Sequence, residues 1–250
     1  MTPTGFLSDV SRQTRVLEEV AHRPWPVPDG PWAQAQSWID LAFLHWRIDE
    51  RELARLVPAS VELETYDGSA WLGITPFLLS GLRLRGLPPL PRVSRFEELN
   101  VRTYVTRDGK PGIWFFSLEA ASRAAVEGAK RLYRLPYHRS RMQHERIGDV
   151  VHYESARSGA AFSGRYRGDG PLFQARPGTL EHFLTERYCL YAADGNKAYR
   201  AEIHHPPWNL QRGEAHVDLN TMPPVSLPAD PPHVLFSARQ DVVVWPLAEL

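Results

Sequence analysis

Residues 98–120 constrain the fold more than any other part of this chain: "ELNVRTYV" is followed by "TRDGKPG" and then by "IWFFSLEA". An alternating run, an Asp-Gly turn and a run of β-branched and aromatic residues specify an antiparallel hairpin. The period of two sets Leu99, Val101, Thr103 and Val105 on one face, and Glu98, Asn100, Arg102 and Tyr104 on the other. The second strand is apolar on both faces through Ile113, Trp114, Phe115, Phe116 and Leu118. A polar row therefore borders a buried row, and two readings stay open: the row meets water, or it lines an interior cavity. With Asp108-Gly109 as a two-residue loop, Arg102 lies opposite Phe115, Asn100 opposite Ser117 and Glu98 opposite Glu119. Two carboxylates facing each other in a closed space would raise at least one pKa and supply an acid or a base.

Strand patterns dominate elsewhere. "SWIDLAFLHWRI", from Ser37 to Ile48, is apolar on both alternating faces, as in a strand buried from two sides. "SAWLGITPFLLSGLRLRG" carries Gly73, Pro76 and Gly81, which predict a bent or bulged strand. "DVVHYESAR", "AAFSGRYR", "RYCLYAA", "KAYRAEIHH", "GEAHVDLN" and "DVVVWPL" continue the pattern. Helices are few. Phe6, Val10, Leu17 and Val20 recur at helical spacing from Phe6 to Ala21, before "HRPWPVPDGPW" stops any helix. Asp49 caps a short helix that ends by Pro58, and "TLEHFLTER" forms another. Ser122 to Arg134 is a helix whose narrow face of small residues, with Ala121, Ala125, Gly128 and Leu132, suits close packing on a sheet. Strands that follow one another directly predict a mainly β (α+β) fold, an antiparallel sheet or barrel with flanking helices, as one domain over residues 1–250.

Composition narrows the function classes. Lys+Arg and Asp+Glu both number 29, so no net field favours nucleic acid or an anionic membrane surface. No run is long enough to cross a bilayer and no signal-peptide pattern opens the chain. The single cysteine, Cys189, excludes an internal disulfide and suits a reducing, cytoplasmic setting. It sits among apolar residues as a structural thiol. Ser117, Ser140 and Ser163 lack a nucleophile-elbow context, and neither a phosphate loop nor a dinucleotide fingerprint occurs, so no cofactor is implied.

The adjacent His204 and His205 in "EIHHPPWNLQ" point to opposite faces of a strand and have no further ligand nearby, so no metal site is expected. One of them, represented by His204, is a candidate polar residue of an interior pocket. Long apolar strands such as Ala70 to Leu84 are compatible with a homo-oligomer.

"FEELNVRTYV", "GIWFFSLEA", "GAKRLYRLPYHRSRM", "LTERYCLYA", "IHHPPW" and "DVVVWP" together resemble, in order along nearly the whole chain, the YqjF-like family of uncharacterised bacterial proteins. That family is distantly similar to acetoacetate decarboxylase. The resemblance implies a cone-shaped, partly closed antiparallel β-barrel with helices outside and a pocket within. In the decarboxylase a proline after the corresponding helix precedes two lysines, the first forming a Schiff base and the second lowering its pKa. Here Pro136 precedes Tyr137 and His138, and neither side chain can form that imine.

The remaining lysines, Lys110, Lys130 and Lys197, read as solvent-facing. The resemblance makes Glu98 the match of a pocket carboxylate, with Arg102, Tyr104, Tyr137, His138 and Arg139 as neighbours. On that reading Glu98 and His138 supply acid or base chemistry, and Arg102 or Arg139 pairs a small anionic or carbonyl ligand. Two alternatives remain: "HRSR" as a solvated strand edge, and a non-catalytic scaffold or assembly protein whose interior is filled by side chains such as Trp114 and Phe116.

Overall fold

The computed structural model describes residues 3–90 and 93–250, with side chains from Asp9 onward. In chain order the elements are α1 (Pro3–Arg15), β1 (Gln34–Ile48), α2 (Glu50–Ala54), β2 (Glu62–Leu63), β3 (Ala70–Leu84), β4 (Phe96–Arg107), β5 (Lys110–Ala120) and α3 (Arg123–Tyr133). They continue with β6 (Tyr137–Arg139), β7 (Arg141–Ile147), β8 (Val150–Arg157), β9 (Ala160–Phe173), α4 (Leu180–Thr185), β10 (Cys189–Asp194), β11 (Lys197–His204), β12 (Leu210–Asn220), β13 (His233–Val244) and β14 (Ala248–Glu249).

The described strands share one sheet, whose main path runs β14-β11-β10-β5-β4-β3-β1-β13-β12-β9-β8-β7. Pairing is antiparallel except where β5 meets β6 and β10. β11 also pairs with β13, through Ile203 with Val244 and His204 with Val243. The molecule is thus mainly β with flanking helices, as the strand patterns predict.

Several boundaries differ from the sequence-based expectation. α1 gives way at Val16–Glu18 to a single 3-10 turn, because Glu19 is extended at φ −120° and the proline-rich connector follows. Val16 is the buried anchor there, while Val20 is exposed. β13 starts at His233, eight residues before the expected Asp241; those eight residues, "HVLFSARQ", interleave polar residues that hide the strand. β7 has an alternating polar sequence and its last three residues are exposed, so hydrophobic periodicity could not reveal it.

The hairpin forms as predicted, but its register slips partway. Arg102 faces Phe115, and beyond that pair Val101 faces Ser117, leaving Phe116 unopposed as a β-bulge. The extra residue turns β5 over relative to β4, so Glu98 faces Ala120 and Leu99 faces Glu119. The expected confrontation of Glu98 with Glu119 is therefore corrected: the two carboxylates lie on opposite faces of the sheet.

This bulge sorts the interior. Leu99 and Val101 join a core with Leu44, Leu72, Ile74, Val151 and Tyr153. On the other face Ile113, Phe115 and Leu118 pack with Leu190, Ile203 and Val244. Full burial of each such aliphatic or aromatic side chain stabilises the fold by roughly 1.5–3 kcal/mol, enough to hold the polar row of β4 on the second face.

Candidate functional site

That polar row lies along a cavity of about 370 Å³ walled by β1, β3, β4, β5, α3 and β6. Glu98, Asn100 and Arg102 contribute from β4, Thr75 and Phe77 from β3, Phe115 and Leu118 from β5, and Tyr137 from β6. Glu98, Asn100 and Arg102 are 5%, 7% and 5% exposed, so the polar row is an interior wall and not a wetted face.

Among the described residues Glu98 has one side-chain partner, the Tyr137 hydroxyl, which donates to its Oε1 at 3.1 Å. Burial pushes its pKa up to about 8, and the Tyr137 bond opposes this only in part. At neutral pH the carboxyl keeps its proton. Burial first, then the adjacent Glu98, drives the Tyr137 phenol well above its ordinary range, so this pair is neutral and proton-rich.

Arg102 is the opposite case. Its Nη2 donates to Leu184 O at 3.1 Å and to the Tyr104 hydroxyl at 3.3 Å, and its guanidinium lies over the Phe43 ring at 5.2 Å. Among the described residues no carboxylate comes within ion-pair distance of it. Among the described residues Arg102 Nε, a donor, and Asn100 Oδ1, an acceptor, have no hydrogen-bond partner. A buried cation left without a counter-charge is costly, and an anion in the cavity would relieve that cost.

Tyr104, fully buried, stands behind the wall. Its hydroxyl donates to Leu184 O at 2.8 Å and contacts His45 Nε2 at 2.5 Å. Since that hydroxyl proton is committed to Leu184, His45 donates from Nε2, and its Nδ1 is left unpartnered. Burial, then the Arg102 charge, lowers the His45 pKa well below its usual value and keeps the ring neutral. Sequence reasoning missed His45. Its signal was a histidine in the otherwise apolar "AFLHW" run, paired across the sheet with Gly73. A Cβ at Gly73 would stand 2.9 Å from His45 Nε2 and 3.3 Å from Arg102 Cγ, so glycine is what lets these two side chains share the space.

The other sequence candidates lie elsewhere. Tyr137 and His138 are neighbours on a strand and point to opposite sides, so His138 falls on the face of Glu119 and Arg157. Burial, then the Arg157 charge, lowers its pKa. Arg139 is exposed. His204 is fully buried, donates from Nε2 to Val16 O at 2.7 Å and stacks on His22, which ties β11 to the N-terminal segment. Burial lowers its pKa to about 4. The geometry thus brings together Glu98, Arg102 and Tyr137 with Tyr104 behind them, and does not bring in His138, Arg139 or His204.

No lysine lines the cavity. Lys130 is exposed, Lys197 pairs with Glu249, and Lys110, half-buried where exposure is expected, contacts Glu202 at 3.3 Å. Trp114 and Phe116 also lie outside the cavity wall, so they do not fill it. Among the described residues no group of three or more His, Cys, Asp or Glu side chains could hold a metal ion, and no helix is long and apolar enough to cross a membrane.

α3 fills its expected role only in part: Ala121 and Ala125 pack against the core around Phe43 and Phe77, but farther along Gly128 and Ala129 border the cavity, and a Cβ placed on Gly128 would meet nothing within 4 Å.

Comparison with solved structures finds the same fold in enzymes. The chain matches the enduracididine biosynthesis enzyme MppR complexed with pyruvate at a TM-score of 0.62 and 10% identity, over 92% of this chain and 93% of that one. An acetoacetate decarboxylase-like enzyme from Sphingomonas wittichii RW1 matches at 0.60 and 15%, over 92% and 98%. Acetoacetate decarboxylase from Legionella pneumophila matches at 0.60 and 11%, over 94% and 96%. Closer in sequence is the uncharacterized protein YqjF of Bacillus subtilis, 46% identical over 227 residues, which cover 88% of this chain and 94% of that protein. The model of the DUF2071 family, described as an uncharacterized conserved protein, spans residues 35–241. With that span and that identity, the chain belongs to the YqjF-like DUF2071 family, on a fold shared with acetoacetate decarboxylase-like enzymes.

Proposed function

We propose that this protein binds a small carboxylate or carbonyl compound inside a barrel closed by the β11–β13 pairing, and that any chemistry it performs there uses acid–base groups and not an imine. One observation carries the reading: a buried guanidinium without a carboxylate, Arg102, shares a cavity wall with a carboxyl whose pKa is about 8, Glu98. A ligand carboxylate would pair with Arg102 through charge-assisted hydrogen bonds, and the Asn100 side-chain amide would donate from Nδ2 to a second ligand oxygen. Glu98, protonated and held by Tyr137, would donate a hydrogen bond to a ligand carbonyl oxygen and so polarise it. Pyruvate, the compound bound in the MppR complex, carries a carboxylate beside a carbonyl, which supports this head group for the ligand.

Schiff-base chemistry is disfavoured because none of the described residues that line the cavity is a lysine. The filled-interior alternative is disfavoured by the cavity itself. Incubation with a 2-keto acid and borohydride, read by intact mass, is expected to leave the mass unchanged; a reduced adduct would overturn the imine-free reading. Calorimetric titration with small carboxylates is expected to give binding that Arg102→Met weakens at least a hundredfold, about 2.7 kcal/mol. Undiminished binding by that variant would overturn the assignment of Arg102.

A further inference from the structure

We infer that the ligand is an amphiphilic monocarboxylate, an acid head on an unbranched apolar tail of medium length, and not a short, fully polar acid. This deepens the pocket reading above and rests on it. The two ends of the cavity differ in chemistry. At the buried end, Arg102 Nε is a donor that lacks a hydrogen-bond partner among the described residues. At the open end, Leu84, Leu87, Leu90 and Leu132 line the same cavity while remaining 51%, 57%, 63% and 61% exposed.

Single exposed leucines are ordinary, but a contiguous group of them marks a surface that something apolar covers. Here the surface is continuous with the cavity wall. It is built from two converging pieces, the chain leaving β3 and the outer part of α3. Between them α3 presents alanines and Gly128, and the open space at Gly128 leaves a slot beside the helix. Phe77, Leu79 and Phe96 line the cavity with the polar residues, so the wall is apolar along most of its length.

A three-carbon acid at Arg102 would leave the leucines wet and much of the 370 Å³ empty. A tail running from Arg102 to the leucines removes both defects at once, since it neutralises the buried cation and covers the exposed apolar rim.

Calorimetric titration of the full chain with butanoate, hexanoate, octanoate and the neutral octanamide tests this. Affinity is expected to rise about fourfold for each methylene buried, and octanoate is expected to bind at least tenfold tighter than octanamide. Leu132→Glu, at an exposed position that leaves the core intact, is expected to weaken octanoate about tenfold and leave butanoate unchanged. Equal affinity for all three acids would overturn the tail and leave the pocket reading standing. Octanamide binding as tightly as octanoate would overturn the acid head. No binding by any acid would overturn both this inference and the reading beneath it. Sedimentation supplies a separate check: if Leu132→Glu dissociates an oligomer, another copy of the chain covers the rim and the inference fails.

Discussion

Glu98 and Glu119 are both buried carboxyl groups near the open end of the same hairpin, yet their surroundings are opposite. Glu119, with no exposed side-chain surface, accepts from Arg157 Nε at 3.0 and 2.9 Å and from the Ser140 hydroxyl at 2.5 Å. Every strong interaction it needs comes from the chain. Glu98 has Tyr137 alone among the described residues and keeps its proton instead. A saturated carboxylate is a structural joint, here fastening β5 to β8 and to the residue between β6 and β7. An unsaturated one facing a cavity has interactions left over for a ligand. The bulge at Phe116 separates the two roles, since without it both groups would crowd one face.

The contrast breaks most visibly at Arg157. Arg157→Met leaves Glu119 buried with one hydroxyl as its partner, and stability is expected to fall by about 3 kcal/mol, the low end for a broken buried pair because Arg157 is itself about a quarter exposed. Urea denaturation at pH 7 measures this, and the double variant with Glu119→Gln is expected to recover most of the loss. A loss below about 1 kcal/mol would show that Glu119 is not held as described.

At Glu98 the effect appears with pH. Because the folded-state pKa is raised, the folded protein holds a proton that the unfolded chain releases near pH 4.5. Its contribution is complete below that pH and is lost as pH rises toward about 8. Stability of the wild type is expected to decline relative to Glu98→Gln by on the order of 2–4 kcal/mol between pH 5 and 8. Comparing the two proteins cancels His204 and His205, whose depressed pKa values of about 4 give stability that is lost in the other direction, as pH falls. Parallel pH curves for the two proteins would mean that Glu98 ionises normally.

Arg102→Met sharpens the same contrast through ligand binding. The carbonyl of Leu184 keeps its bond from Tyr104, so no buried acceptor is orphaned, and stability is expected to shift by less than about 1.5 kcal/mol. Carboxylate binding is expected to fall at least a hundredfold, about 2.7 kcal/mol, within the range of two charge-assisted hydrogen bonds. Destabilisation as large as that of Arg157→Met would place Arg102 among the structural joints.

These differences also define what was legible in the sequence. Alternation exposed the polar row of β4, and the Asp-Gly turn fixed the pairing from Arg107 as far as Arg102. The bulge was not legible, because Phe115 and Phe116 are equally suited to either face and only three-dimensional packing chooses which one is left unopposed. For the same reason the face of Glu119 was misassigned. Tyr137 and His138 were found together by resemblance, but alternation along β6 admits only one of them to the cavity. His45 was hidden by distance along the chain, since it meets Tyr104 across 59 residues through a contact that no local pattern encodes. His204 drew attention as one of an adjacent pair, and its partner turned out to be the carbonyl of Val16, in a segment whose docking the sequence does not specify.

The smallest expected effect concerns Gly128 and separates a packing glycine from a cavity glycine. Were α3 pressed against the sheet at this point, Gly128→Ala would clash and destabilise. The space beside it is open and its backbone is helical, so alanine meets nothing and brings only its better helix propensity. Stability is expected to rise by about 0.5–1 kcal/mol, a shift in Tm of a few degrees readable by calorimetry. The added methyl also narrows the slot beside the leucines, so octanoate affinity is expected to fall while butanoate affinity holds. A destabilised variant would mean that α3 closes onto the sheet in solution, and the wide-mouthed cavity would then have to be abandoned in favour of a small, sealed one.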